Sequence, residues 1–440
     1  MLVKYDTRSI ATLTAAIVTT AAFAKTFVPF YLIGSTAIFI ATSVLGTALV
    51  VIGWRSIYDM ARKVPDILLL LGTLYGLVII NFLFFSRLTV PTTHLLGILI
   101  FHALFIIFGF SAARALKAVA MVLLGAAAIY SIIVVQNIAR FGDLMQNGFL
   151  QDVFSVRDPA IFATFHQNIG IVLGLAALAA LGLASNRLKQ ILAIGALPLV
   201  LLFMFHIAAR GALVALVCSL IFLSAAGFWV RSKKLTLLGV TSVVIAITVA
   251  SGLLYQRALH DKISDPNATD ALSRTIQEIQ DPRPGFRTQI WSRAWHHILT
   301  EPDRLLFGRG IGIHPVDEGY GPPDWLLHKT EASKHYPHNV YLEMLYEMGI
   351  AGLLAFSILT LFPLAIALRR WQSLSQIQKS VISMYVFQLA SSQFSGSFAY
   401  SYLDPFFFAL TVGIIALKRT DDELVPGQSS TMKLNASCSR

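Results

Sequence analysis

The chain has 440 residues, of which 56% are apolar and only 13% charged. Soluble domains carry about a quarter charged residues, so an ordinary water-soluble globule is excluded; two cysteines, Cys218 in an apolar run and Cys438 in the tail, exclude a disulfide scaffold. The net charge of +11 is scattered between greasy stretches, without basic patches and interleaved aromatics, so no nucleic-acid partner is expected.

With a mean hydropathy of +0.70, the apolar runs in chain order predict helices at 9–24, 29–54, 66–86, 92–110, 113–135, 161–184, 190–208, 211–230, 235–255, 339–368, 380–396 and 402–417. Each is near the roughly 20 residues that a bilayer requires. The runs are continuous and do not alternate with period two, which excludes a membrane β-barrel. The expected fold is an all-α polytopic membrane protein of about twelve transmembrane helices, with a large helical loop between the ninth and the tenth. The first run follows Lys4 and Arg8 and ends in Ala22-Phe23-Ala24, a pattern also seen in cleaved signal peptides. The loop charges fit the run as a retained helix.

Those charges alternate along the chain. With the N-terminus cytoplasmic, that side receives Lys4 and Arg8; Arg55, Arg62 and Lys63; Arg114 and Lys117; and Arg187 and Lys189. It then receives Arg231, Lys233 and Lys234; Arg369, Arg370 and Lys379; and Lys418 and Arg419. The short loops opposite hold only Lys25, Arg87, Arg140, Arg157 and Arg210. This positive-inside asymmetry returns the C-terminus to the cytoplasm. Four regions follow: helices one to nine over 1–254, an external cap over 255–337, helices ten to twelve over 338–418, and a polar tail over 419–440 expected to be disordered. No internal repeat and no Gly/Pro-broken helix pair supports a transporter, the reading from another class.

In the cap, turn signals at 281–285 and 308–312 flank an amphipathic helical pattern around 288–295. Trp291 and Trp295, one turn apart, suit either the membrane surface or packing on the bundle. A second external stretch, 136–160, suggests a short interfacial helix around 141–154.

The segment after the cap holds the groups best placed for chemistry. His338 stands where a polar loop enters a helix, beside Pro337 and an N-cap candidate, Asn339. A histidine there can accept a proton from a hydroxyl. On position alone it reads more readily as a boundary histidine without chemistry. Gly349 and Gly352 would let this helix pack closely on a neighbour and so hold the histidine in place.

His338, Asn339, Gly349 and Gly352 together resemble the H-[N/S]-x9-G-x-x-G signature of O-antigen ligases, with every signature position filled. Upstream, Arg287 and Trp291, then Pro302, then Gly308-Arg309-Gly310 resemble the R-x3-W, P and G-x-G elements of the same superfamily's loop. The resemblance implies a GT-C-like glycosyltransferase in the bacterial inner membrane, with its active site facing the periplasm. The implied donor is an O-antigen linked to undecaprenyl pyrophosphate, the acceptor is lipid A-core, and membrane lipids surround both. Arg210 and Arg287 resemble the family's essential arginines, whose planar donors suit a departing pyrophosphate; a snorkelling residue and a solvated loop charge are their plainer readings. Arg283, Arg293, Arg304 and Arg309 read more simply as surface charges.

No cofactor is expected. His335 with His338, or His296 with His297, are candidate metal ligands, but Pro337 spoils a helical i,i+3 pair and no Asp-x-Asp motif appears. Arginines can supply the missing positive charge, which favours metal-independent catalysis. His94, His102, His166 and His206 read as polar sites between helices. His166, near an external helix end, and Asp404, which could pair with an arginine, are further substrate-binding candidates beside Asn339. A protein O-oligosaccharyltransferase or an O-antigen polymerase is the near alternative. The chain ends soon after its last span, without the soluble domain of many protein-glycosylating relatives, and this leans toward a ligase.

Overall fold

Local signals set the helix ends in the computed structural model, which describes residues 7–27, 34–141, 159–206, 209–227, 286–323 and 336–423. In chain order the helices are α1 (Thr7–Phe23), α2 (Ser35–Ile52), α3 (Trp54–Ala61), α4 (Pro65–Asn81), α5 (Thr92–Ala112), α6 (Leu116–Phe141) and α7 (Pro159–Leu183). Then come α8 (Arg187–His206), α9 (Arg210–Ala225), α10 (Phe286–Thr300), α11 (His314–Asp317), α12 (Val340–Arg369), α13 (Gln376–Ser395) and α14 (Leu403–Glu423). No strand occurs among the described residues.

Proline opens α4 at the one place where its missing N–H costs nothing, and Asp66 follows in the first turn. A capping box of Ser375 and Gln378 opens α13. A helix stands at every expected span except 235–255, which lies outside the described residues, as do the expected interfacial segment beyond Phe141, the first part of the cap and the end of the tail.

Five helical stretches are long and apolar enough to cross a membrane: Ser35–Ile52, Pro65–Ser86, Thr92–Ile132, Arg187–Met204 and Val340–Arg369. The third joins two expected spans through a 3-10 turn at Ala113–Ala115. Shorter apolar helices cover Arg8–Phe23, Gln167–Leu183 and Arg210–Ala225. The core is built where α5 packs on α14, α9 and α7 on α13, and α1 on α2, α5 and α6. Phe105, Phe108, Tyr385, Phe387, Phe406 and Phe407 are fully enclosed there. Outward faces instead carry exposed Val44, Leu69, Leu199, Ile221 and Leu361. Apolar surface of that extent is unfavourable in water and favourable against lipid. The chain is a membrane protein.

Arg419, expected only as an orienting charge, also closes one end of the bundle. Its guanidinium donates to both carboxylate oxygens of Asp66, at 3.0 and 2.9 Å, and to the Lys63 carbonyl at 2.6 Å. This ties the start of α4 to the end of α14.

Candidate active site

The turn before α12 is held from three directions. The Asn339 side chain caps the helix, accepting from the N–H groups of Tyr341 and Leu342 at 3.1 and 3.0 Å, an arrangement worth about 1 kcal/mol. To reach it, the chain passes through His338 at φ 56, a left-handed conformation unfavourable for a residue with a Cβ. The turn is kept there by neighbours. The Trp291 indole donates to the Pro337 carbonyl at 2.7 Å, and the Tyr336 ring lies on His338 with centroids 4.4 Å apart. The histidine is therefore presented by a braced backbone.

Both arginines stand in the first turn of a helix, where the dipole opposes a cation and welcomes an anion. Arg210 opens α9 and Arg287 is the second residue of α10. Gly170 of α7 lets α9 come close at this point, since a Cβ there would overlap the side chain of Ala209. Much of Arg287 is exposed, yet neighbouring protein displaces enough water to lower its pKa, and the like charge of Arg210 lowers it further. Tyr336 pulls the other way on Arg287. Burial pushes the Tyr336 hydroxyl up to about 12, with the carboxylate of Glu343 adding to the shift and Arg287 opposing it. Arg210, Arg287, Tyr336 and His338 thus form one continuous electrostatic and contact series. Three helix N-termini, those of α9, α10 and α12, supply its members.

Beside this series lies a cavity of about 190 Å³ rich in hydroxyl groups, lined among others by Lys25, Tyr336, Gln388, Ser391, Ser395 and Tyr400. The Tyr336 hydroxyl donates to the Ser395 carbonyl at 3.4 Å. The buried carboxylate of Glu343 accepts from the Ser397 hydroxyl at 2.8 Å and the Phe398 N–H at 3.0 Å, locking the turn after α13 onto α12. Among the described residues, Asp404 is paired with a hydroxyl and not with an arginine. Its two oxygens accept from Ser392 at 2.7 and 2.9 Å, and its side chain borders a small apolar cavity with Tyr75 and His102. Buried carboxylates satisfied by hydroxyl donors shape the pocket wall without adding a cation.

The two signature glycines work differently from the expected helix-on-helix contact. Gly349 breaks α12 at φ 65, ψ −164, a region open essentially to glycine alone. A loop fills the break. The carbonyls of Leu305 and Leu306 accept from the N–H groups of Ile350 and Ala351 at 2.9 and 3.0 Å, while Arg309 and Gly310 donate to the carbonyls of Tyr346 and Glu347 at 3.1 and 2.8 Å. Gly352 sits against Met348 of its own helix, because the break turns that side chain back on the next turn. Asn81, at the end of α4, joins all three parts: its amide donates to the carbonyls of Phe307 and Glu347 at 2.6 and 3.3 Å, and its oxygen accepts from the Ile311 N–H at 2.9 Å. Arg309 lies over the Tyr346 ring and pairs with Asp317 at 2.7 Å and with Glu301. The cap is therefore anchored through backbone hydrogen bonds to the helix that carries the site.

Of the two tryptophans of α10, Trp291 turns inward onto a cluster of Ala294, Ile298, Leu342 and Tyr346, whereas Trp295 is exposed. Arg293 pairs with Glu318 at 2.9 Å and Arg304 with Asp303 at 3.6 Å. His102 shares a 2.7 Å hydrogen bond with the Tyr75 hydroxyl, and His94 is buried beside Tyr400. Arg283, His335 and the side chains of His166 and His206 lie outside the described residues. Tyr336, Glu343, Glu347 and Asn81 escaped the sequence reading. The two glutamates carried a usable signal, since acidic residues four apart within an apolar helix are rarely without a role.

No curated protein matches the chain. Residues 195–357 of the 440, which hold Arg210, Arg287, His338, Asn339, Gly349 and Gly352, match the family model described as O-antigen ligase.

Proposed function

We propose that the protein is an O-antigen ligase, transferring a glycan from undecaprenyl pyrophosphate to a sugar hydroxyl of lipid A-core on the periplasmic side of the bacterial inner membrane. The observation that carries this reading is the series Arg210, Arg287, Tyr336 and His338: two cations at helix N-termini beside a braced histidine. His338 takes the proton of the acceptor hydroxyl as its oxygen attacks the anomeric carbon. The bond from that carbon to the pyrophosphate oxygen breaks, and Arg210 and Arg287 receive the charge that develops on the lipid pyrophosphate. A single displacement inverts the anomeric centre. Two arginines supply the positive charge that a divalent ion would otherwise provide, so the reading is metal-independent. Asn339 contributes by capping α12 beneath the histidine, and the hydroxyl-lined cavity next to Tyr336 suits a polar, sugar-bearing substrate. His166 and Asp404 remain proposed as substrate-side residues, Asp404 through the Ser392 hydroxyl it holds.

The family match also supports an O-antigen polymerase or a protein O-oligosaccharyltransferase, because these share the donor chemistry and differ in the acceptor. Deleting the gene and separating the lipopolysaccharide by electrophoresis tests the choice. Loss of the long-chain ladder while lipid-linked polymer accumulates is the result expected of a ligase. A core capped by one repeat unit identifies a polymerase, and an intact ladder with loss of protein glycosylation identifies the transferase to protein.

A further inference from the structure

A second cavity lies at the other end of the bundle. The hydroxyl-lined cavity beside Tyr336 involves residues just past the C-terminal end of α1 (Lys25, Thr26) and the end of α13 (Ser391, Ser395). The second cavity is lined by residues near the opposite ends of the same two helices, Arg8 and Thr12 of α1 and Ser375 and Gln378 at the start of α13. At 1.5 Å per residue, the two sites stand about 25 Å apart along α1. The second cavity has a volume of about 530 Å³.

Three cations border it. Arg8 is in the first turn of α1, Arg114 is in the 3-10 turn between α5 and α6, and Lys117 is in the first turn of α6. Two of these cations therefore sit where the helix dipole already disfavours them. The N-terminus of α13 adds its own positive end, and its capping box leaves the N–H groups of the first two helical residues for another acceptor. No carboxylate is among the described residues that line the cavity. The volume suits a headgroup rather than a lone water or chloride.

We propose that this cavity binds a phosphate group, supplied by the headgroup of an anionic phospholipid in the leaflet at that end of the bundle. Arg8 and Arg114 offer forked donors to the phosphate oxygens, Lys117 a point charge, and the start of α13 its backbone N–H groups. The full-length protein is reconstituted in nanodiscs of phosphatidylcholine with or without phosphatidylglycerol, and the lipids it retains are counted by native mass spectrometry. Wild type is expected to retain phosphatidylglycerol, and Arg8→Gln/Arg114→Gln/Lys117→Gln to lose it by about tenfold or more. Lys117→Gln alone, an exposed position safe for folding, loses about threefold. Inorganic phosphate added to phosphatidylcholine discs separates the sources. Thermal stabilisation of wild type but not of the triple variant supports the phosphate site with a soluble anion in it. Equal lipid retention and equal phosphate response in wild type and variants overturns the proposal. So does an equal loss in Arg55→Gln/Arg62→Gln/Arg187→Gln, which removes the same charge outside the cavity.

Discussion

The ring of Tyr336 rests on the ring of His338, with centroids 4.4 Å apart and planes inclined by 45°. Tyr336 also lies within electrostatic reach of Arg287, so one side chain links the proposed base to the proposed anion site. The contact is made by the ring, and among the described residues the hydroxyl is held only by a long bond to the Ser395 carbonyl. Tyr336→Phe is therefore expected to keep transfer within about threefold of wild type, whereas Tyr336→Ala lowers kcat by about tenfold or more through a misplaced histidine. Steady-state transfer by the two variants checks this, and equal losses in both would assign the role to the hydroxyl.

Gly349 carries a backbone that other residues do not adopt, and a Cβ there would press on Leu306 and Gly308 at 2.5 Å. Gly349→Ala is expected to destabilise the protein by about 3 kcal/mol or more, the sum of an unfavourable conformation and a displaced loop. Thermal unfolding in detergent measures it. Gly352→Ala is also expected to destabilise the protein, because its Cβ would overlap the Met348 Cβ, an atom that moves only with the backbone.

Acid should loosen the cap before the bundle. The Arg309 guanidinium holds the Glu301 carboxyl below the usual glutamate range. A carboxylate depressed in this way stabilises the folded state above its unfolded pKa, about 4.3, and the contribution is lost as pH falls through the lower folded value. Stability of the cap, followed by hydrogen exchange of α10, is expected to fall below about pH 4.3 in wild type. Glu301→Gln should start lower and vary less over that range; an unchanged acid response would show that the pair does not anchor the cap.

Arg210 is proposed to hold pyrophosphate oxygens with a planar fork. Arg210→Lys keeps the charge and loses the fork, so turnover should drop by about tenfold or more. A lysine variant with unchanged turnover would reduce the role of Arg210 to charge alone.

Much of this was legible in the sequence because the signals are local. Apolar runs of bilayer length placed the helices, and Asn339 was visible as a cap before α12. The rest depends on partners far apart along the chain. Asn81 meets Phe307 across 226 positions, and nothing in its own apolar run hints at that link. Trp291 and Trp295 look alike in sequence, and only the packing of α10 on α12 sends one inward to the Pro337 carbonyl. The glycine spacing was recognisable, but a glycine that breaks a helix to admit a loop has the same sequence as one that lets two helices touch.

Whether His338 is the base is decided by His338→Ala, assayed with purified lipid-linked donor and lipid A-core acceptor alongside a measurement of donor binding. Transfer is expected to fall by about 10² to 10⁴ with donor affinity retained, because the arginines are intact. Full transfer by a folded His338→Ala protein would contradict it.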